Sequence, residues 1–540
     1  MRMARPRAWL VVSLGTLLLA ALPAQAAAPR KPAAASPKPS LDSRIKQLLA
    51  DPDVARGFWG IEVASVATGK TLYARNSGKL FTPASNVKLF TTAAALALVG
   101  PDYRFRTTVE TAATLDRYGR LNGDLVLVGR GDPNLSGRTL PYNLKTERKP
   151  PYLKALESLA DQVVGKGVRY IDGDVVADDT YYAFERYGEG WAQDDLTWEY
   201  GAPVSALTLN DNVLFLTVMP GDRAGEKAFV TLEPFPEYYH IDNRILTAPA
   251  GSGPRRFGLN RQPGSDQLTL WGTIPADDAG VTESVAMEDP ANFAAQLFRR
   301  MLERRGVAVY GRARARHGDV AGFSTFTVTA VATAGGGDAG PTPPSLPARM
   351  VLAGYDSQPL SEDLRVINKV SQNLHAELAL RLLGREKGSG GTIEGGLDVV
   401  RTFLAGVGIA PQEYALFDGS GLSRQNLATP HAVLQLLLYA AVQPWFERYR
   451  DTLPLAAVDG SLAERFKGTP AAANVTAKTG SLGHVNVLSG YAKTAQGELV
   501  AFSIMCNNHN LTNGRAVATI DQIVLAIVDD ETYPAAPAKK

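Results

Sequence analysis

"TPASNVKLFTTAAALALVG", residues 82–100, sets a serine and a lysine three positions apart, Ser85 and Lys88, at the head of a run rich in alanine and leucine. Pro83 ahead of the run, the apolar series Val87, Phe90, Ala94 and Leu98, and Gly100-Pro101 at its end predict an amphipathic helix with Ser85 in the first turn. Positions i and i+3 share a helix face, which brings hydroxyl and amine within hydrogen-bond reach. A serine hydroxyl is a weak nucleophile until a base takes its proton, and a desolvated lysine beside a second cation can be neutral near pH 7. The spacing alone also fits a capped helix with a solvated lysine. Ser43 and Lys46 repeat it in a stretch that reads as an ordinary surface helix. The rest of the chain has to discriminate.

With 540 residues, 45% hydrophobic and 20% charged, the composition is that of a globular protein of about two to four domains. Arg2, Arg5 and Arg7, an apolar run from Trp9 to Leu22, and Ala24-Gln25-Ala26 read as a signal peptide over residues 1–26. Its apolar run is short for a membrane span, and no later stretch reaches some 18 uninterrupted apolar residues, so no transmembrane anchor is expected in the mature chain. Removing residues 1–26 takes three arginines and no acids, moving the formal charge from +2 to −1. Nothing in that balance invites nucleic acid. Cys506, the single cysteine, lies in "LVAFSIMCNN" (499–508) and reads as a buried structural thiol, far from any lipid-anchor position. His240, His317, His375, His431, His484 and His509 show no metal-ligand spacing, and neither a metal nor a cofactor is expected.

Residues 27–40, "AAPRKPAAASPKPS", form a Pro/Ala/Lys linker. The run 57–85 reads as two strands joined at Thr68-Gly69 that deliver the chain to Ser85. Residues 101–347 are dominated by short strands and turn residues, with helical pieces at 152–168 and 290–307, and close at the Gly/Pro linker 333–347. Helices over 360–384, 428–442 and 516–530 and strands over 484–494 and 498–508 follow. The simplest organisation is an α/β domain made of 41–100 and 348–532, interrupted by a β-rich insertion, 101–347, long enough for two subdomains.

Two further clusters lie in the returning half: Ser371-Gln372-Asn373 in a helical stretch, and Lys478-Thr479-Gly480-Ser481 at the opening of a strand. Each is weak alone. Together, in the order Ser-x-x-Lys, Ser-x-Asn, Lys-Thr-Gly, they are the motif set of β-lactamases and penicillin-binding proteins. From about residue 55 onward the chain resembles the class C low-molecular-mass penicillin-binding proteins, D-alanyl-D-alanine carboxypeptidases and endopeptidases of the bacterial cell wall. "GDLVLVGRGDPNLS" (123–136), "YGAPVSALTLNDN" (200–212) and "DGSGLSRQN" (418–426) carry the resemblance too, as do the 283 positions between Lys88 and Ser371, a separation that class A β-lactamases lack.

The resemblance implies a penicillin-binding, serine β-lactamase-like transpeptidase domain, with helices around an antiparallel sheet. It makes Ser85 the acylated nucleophile and Lys88 its base. Lys478 is expected across the cleft, where its charge helps keep Lys88 neutral and binds the substrate carboxylate. Ser371 relays a proton to the departing amine, and Asn373 fixes the substrate amide. Thr479 bonds the carboxylate, Gly480 lets the substrate approach the strand, and the backbone N–H groups of Ser85 and Ser481 form the oxyanion hole. Asp195, with Asp194 as competitor, and Arg424 are placed around the free end of diaminopimelate. The implied partners are peptidoglycan stem peptides and cross-bridges, with β-lactams as inhibitors, and a Gram-negative periplasm suits a secreted chain with such a pocket. A β-lactamase on the same fold would need a base poised over the acyl ester, and no glutamate loop of the class A kind is recognisable. A noncatalytic wall-binding scaffold would have lost a catalytic residue, and none is lost.

Overall fold

The central sheet takes strands from both ends of the chain. Its order is Thr476–Leu482, Val485–Lys493, Leu499–Asn507, Phe58–Ser65, Thr71–Arg75, each pair antiparallel. The structure, a computed structural model, describes residues 39–135, 137–138, 150–323 and 349–531. The signal peptide expected over 1–26 and the linker 333–347 lie outside them, as does the linker 27–40 apart from its last two residues.

Alternation along the strands sorts side chains into two cores, because successive residues of a strand point to opposite faces. Val500, Phe502, Ile504 and Cys506 face one core with Ile61 and Val63, beneath the helices Leu41–Leu49 and Asn513–Val528. Ala501 and Met505 face the other, with the helices Val87–Leu98, Leu360–Lys369, Asn373–Lys387 and Pro430–Ala441. The first of these helices corrects the amphipathic reading: every residue from Val87 to Leu96 is buried. Its neighbours enclose it on several sides, so the Ala/Leu composition serves burial all round rather than on one stripe. Leu41–Leu49, by contrast, buries only Leu41, Ile45 and Leu49 and leaves Ser43 and Lys46 exposed, as an ordinary surface helix does.

The apolar run 360–384, read as one helix, is two. Leu360–Lys369 and Asn373–Lys387 are separated by a break at which Ser371 takes a left-handed φ of 64°. Gln372 caps the second helix, its side chain accepting from the Leu374 N–H at 2.8 Å. The motif therefore sits at a helix start, where side chains project into a cleft, instead of along a helix wall.

Within the insertion a five-stranded mixed sheet, ordered Ala313–Gly318, Val175–Ala183, Leu125–Val128, Arg106–Thr111, Met350–Asp356, is accompanied by the helices Lys154–Gly165 and Pro290–Arg304. Two three-stranded sheets stand beside it: Val281–Ala286, Val213–Met219 and Phe229–Glu233, and His240–Ala248, Gln267–Pro275 and Arg256–Asn260. Met350–Asp356 lies past the linker yet pairs with Arg106–Thr111. The returning chain, past the boundary expected at 347, thus adds a strand to the sheet of the 101–347 stretch before it enters the helix Leu360–Lys369.

Candidate active site

Ala84, Ser85 and Asn86 form a 3-10 turn that feeds the Val87–Leu98 helix, and Ala84 is held in the left-handed region at φ 45°. Glycines let two other segments close on this turn. A Cβ on Gly421 would stand 1.9 Å from the Ala84 carbonyl, and one on Gly480 would stand 2.9 Å from the Ser85 nitrogen and 2.5 Å from a Val487 methyl. The space at Gly480 is thus filled by the turn carrying Ser85, whereas the sequence reading reserved it for substrate. Asn86, wholly buried, fastens the same junction by donating to the Lys478 carbonyl at 3.0 Å.

Lys88 is wholly buried, and its Nζ lies 2.9 Å from Ser85 Oγ, 2.6 Å from Asn373 Oδ1 and 2.5 Å from the Ser420 carbonyl. Burial brings its amine down to about 7, against the pull of the Asp418 and Glu377 carboxylates. Desolvation is the cause here, where the sequence reading had given a share to the charge of Lys478. Two of the three partners can only accept: the Ser420 carbonyl, and Asn373 Oδ1, whose orientation is fixed because Asn373 Nδ2 donates to the Tyr200 carbonyl at 2.8 Å. A neutral amine has two N–H bonds and one lone pair. With both N–H bonds spent on carbonyl oxygens, the lone pair is left facing the Ser85 hydroxyl.

Lys478 stands on the edge strand Thr476–Leu482 and is also wholly buried. Its Nζ donates to Ser371 Oγ at 2.8 Å and to the Thr479 carbonyl at 2.9 Å. Each lysine therefore serves a different serine. Thr479 Oγ1 lies 2.7 Å from Ser461 Oγ, and Ser481 Oγ accepts from Asn486 at 3.0 Å. Ser85, Ser371, Asn373 and Ser481 line one cavity of about 590 Å³, together with Asp195, Arg424 and Tyr200.

Asp195 and Arg424, assigned to the substrate's side chain from sequence, are brought to that cavity. Asp195 is half-buried, accepts from the Ala192 N–H at 3.3 Å, and has its carboxyl pushed up by burial. Asp194 is exposed and does not line the cavity. Arg424 is exposed, with a long contact of 3.4 Å to the Gly483 carbonyl.

Sequence reasoning missed the groups that hold these in place. Asp418 is a buried hub: its oxygens accept from the Gly421 N–H at 2.8 Å, Asn426 Nδ2 at 2.8 Å, the Ser423 N–H at 2.7 Å and Trp191 Nε1 at 3.0 Å. It thereby organises the loop that presents both Ser420 to Lys88 and Arg424 to the cavity. Glu377 accepts from the N–H groups of Gly419 and Ser420 at 3.0 and 2.9 Å, and burial, then the Asp418 charge, push its carboxyl up to about 7. The signal was present in the sequence: Asn373, Glu377 and Arg381 are spaced by four along one helix, so they share a face. Cys506 is buried, and burial pushes its thiol up to about 12. Among the described residues no group of three or more His, Cys, Asp or Glu is placed to hold a metal, and no helix is long and apolar enough to cross a membrane.

A buried amine whose lone pair faces a serine hydroxyl at the rim of a cleft is equipped to take that proton, which is the chemistry of a serine hydrolase. The chain belongs to the D-Ala-D-Ala carboxypeptidase 3 (S13) family, whose model matches residues 41–319 and 342–527. It is 37% identical over 477 residues to the D-alanyl-D-alanine carboxypeptidase of Actinomadura sp. (strain R39), covering 86% of this chain and 80% of that protein. It is 26% identical over 440 residues to the D-alanyl-D-alanine carboxypeptidase DacB of Haemophilus influenzae, covering 81% and 82%. The crystal structure of penicillin binding protein 4 (dacB) from Haemophilus influenzae has the same fold, with a TM-score of 0.70 at 24% identity over 89% of this chain and 97% of that one.

Proposed function

We propose that this chain is exported to the periplasm and removes the terminal D-alanine of peptidoglycan stem peptides, or opens D-configured cross-bridges, through an acyl-enzyme on Ser85. In this reading β-lactams acylate the same hydroxyl. The observation that carries it is the Lys88 amine, buried, bonded to the acceptor-only oxygens of Asn373 and Ser420 and 2.9 Å from Ser85 Oγ.

The Ser85 proton passes to Lys88 Nζ as Oγ attacks the carbonyl carbon of the penultimate D-alanine. The oxyanion is taken by the backbone N–H groups of Ser85 and Ser481, which lie on adjoining segments because Gly480 packs against the Ser85 nitrogen. Collapse breaks the C–N bond, and the proton that Lys88 took from Ser85 is relayed through Ser371 Oγ to the departing amine, which returns Lys88 to its neutral form. Lys478 and the Thr479 hydroxyl hold the substrate carboxylate, and Asn373 its amide. Water then attacks the ester, with Lys88 accepting its proton and handing it to Ser85 Oγ as the ester C–O bond breaks. Asp195 and Arg424 face the ammonium and carboxylate at the end of a diaminopimelate side chain, a match of charge to charge.

The test is the intact mass of the mature protein after exposure to benzylpenicillin, beside Ser85→Ala. A stable adduct on the first and none on the second supports the reading. Penicillin consumed without an adduct favours a β-lactamase, and neither adduct nor consumption favours a wall-binding scaffold. Replacing Asp195 or Arg424 singly should cost more on diaminopimelate peptides than on minimal D-Ala-D-Ala esters. Equal losses on both would assign the pair a structural role.

A further inference from the structure

That reading gives the insertion one task, through Asp195, yet its segments also reach the second motif directly. At Asn210-Asp211-Asn212 three successive residues lie in the left-handed region, with φ of 50°, 54° and 55°. Such a run carries a backbone cost that short polar side chains reduce but do not abolish. Local bonds hold it: Asn212 Oδ1 accepts from the Leu209 N–H at 3.2 Å, Asn212 Nδ2 donates to the Pro203 carbonyl at 2.8 Å, and Asn210 Nδ2 donates to the Val213 carbonyl at 2.9 Å.

The turn delivers Asp211, wholly buried, to the start of the Asn373–Lys387 helix. One carboxylate oxygen accepts from Gln372 Nε2 at 3.2 Å and from Arg138, and the other lies 3.2 Å from His375 Nε2. His375 is likewise wholly buried, and its second nitrogen lies 2.6 Å from Asp363 Oδ1. Gln372 is thus gripped at both ends, its Nε2 by Asp211 and its Oε1 by the Leu374 N–H. The next residue, Asn373, donates to the Tyr200 carbonyl, which also belongs to the insertion. Both residues that follow Ser371 are therefore bonded by the insertion, at the point where Ser371 itself is held at φ 64°.

We infer that Asp211 is a positioning residue: by clamping Gln372 and His375 at the head of the helix it keeps Ser371 Oγ on Lys478 and Asn373 Oδ1 on Lys88, so that the insertion sets the geometry of catalysis. The inference rests on the roles proposed above for Ser371 and Asn373. Neither Asp211 nor Gln372 exchanges a proton with substrate in this account. They act only through the two residues they orient.

Asp211→Asn, Gln372→Ala and the double variant test it, read by the limiting rate of acylation with saturating benzylpenicillin and normalised to the number of acylable sites, so that unfolded protein does not count. Each single change should slow the limiting rate roughly tenfold to a hundredfold, the scale of a displacement near 1 Å at reacting groups. The double variant should be no slower than the slower single, because both remove one clamp. Asp211→Asn acylated at the wild-type rate overturns the inference. So do losses that multiply in the double variant, which would mean that Asp211 merely supports the fold. If Asp211→Asn yields no folded protein, Gln372→Ala alone decides in the same way, a wild-type rate overturning and a slowed rate supporting. A wild-type protein that takes no adduct would instead fell the reading of Ser85, a separate failure.

Discussion

Asn373 is the position at which a single side-chain atom can change the protonation of Lys88. Asn373→Asp puts a carboxylate where an amide oxygen now stands 2.6 Å from Lys88 Nζ. In the native site burial brings that amine down to about 7, so that about half is neutral at pH 7. Unit charges about 4 Å apart at an effective dielectric near 20 attract by about 4 kcal/mol, and 1.36 kcal/mol corresponds to one pH unit, so the new carboxylate moves the titration of Lys88 up by about three. About one molecule in a thousand then holds a neutral base at pH 7, and acylation falls roughly five-hundredfold. The loss has a signature: it shrinks about tenfold for each pH unit above 7, as hydroxide does what the site no longer can. Asn373→Ala also loses the bond to Tyr200 but adds no charge, so it should be slow with the native pH profile. The assay is the second-order rate constant for acylation by benzylpenicillin across the range from about pH 6 to pH 9. A native profile that is flat between pH 6 and 8, or an Asn373→Asp defect that persists undiminished at pH 9, would refute the assignment of Lys88 as base.

Gly480→Ala should slow acylation by roughly a hundredfold while leaving the chain folded, since the new methyl meets the Ser85 nitrogen at 2.9 Å and must displace the nucleophile's turn. The acylation rate, set beside the thermal midpoint, separates this from global unfolding. Asp418→Ala strands several buried donors at once and should cost at least about 3 kcal/mol in denaturant unfolding. The same change frees the Ser420 carbonyl, so the surviving folded protein should acylate slowly. Cys506, buried and with its thiol pushed up to about 12, should be inert to a thiol reagent in the native state and react once per chain after denaturation. Fast native labelling would contradict the packing of that strand.

How much of this was legible in the sequence depends on the kind of information each feature needs. Ser85 and Lys88 announce themselves because their relation is local, three residues apart on one turn. The sheet strands 485–493 and 499–507 are legible for the same reason, their apolar runs being bounded by turn residues. The break at Ser371 is not, because the apolar period continues through it, and the left-handed backbone there is flanked by residues, Gln372 and Asn373, that the distant insertion bonds. The pairing of 350–356 with 106–111 is not legible either, because it joins residues some 240 positions apart, to which local periodicity is blind. Asp211 and Asp418 were quoted within their phrases but not singled out. Each is a single acid in a turn, and only the folded chain shows several donors converging on it.

The same groups explain why Lys88 rests where it does. Burial alone depresses an ammonium without limit of usefulness: an amine that loses its proton too readily is also too weak a base to draw one from a serine, and the most effective base titrates near the working pH. Asp418 and Glu377 oppose the burial and raise the amine. They do so while bonded to the N–H groups of the very loop whose Ser420 carbonyl accepts from Lys88. The carboxylates that tune the base are therefore the ones that aim it, and a substitution at either should alter strength and direction together. Lys478 answers to Ser371, whose neighbours the insertion binds, and Lys88 answers both to the loop 418–426 and, through Asn373, to Tyr200 of the same insertion. The insertion thus bears on both lysines, on Lys478 through Ser371 and on Lys88 through Asn373, so in the proposed mechanism a change at Asp211 should disturb both proton transfers together.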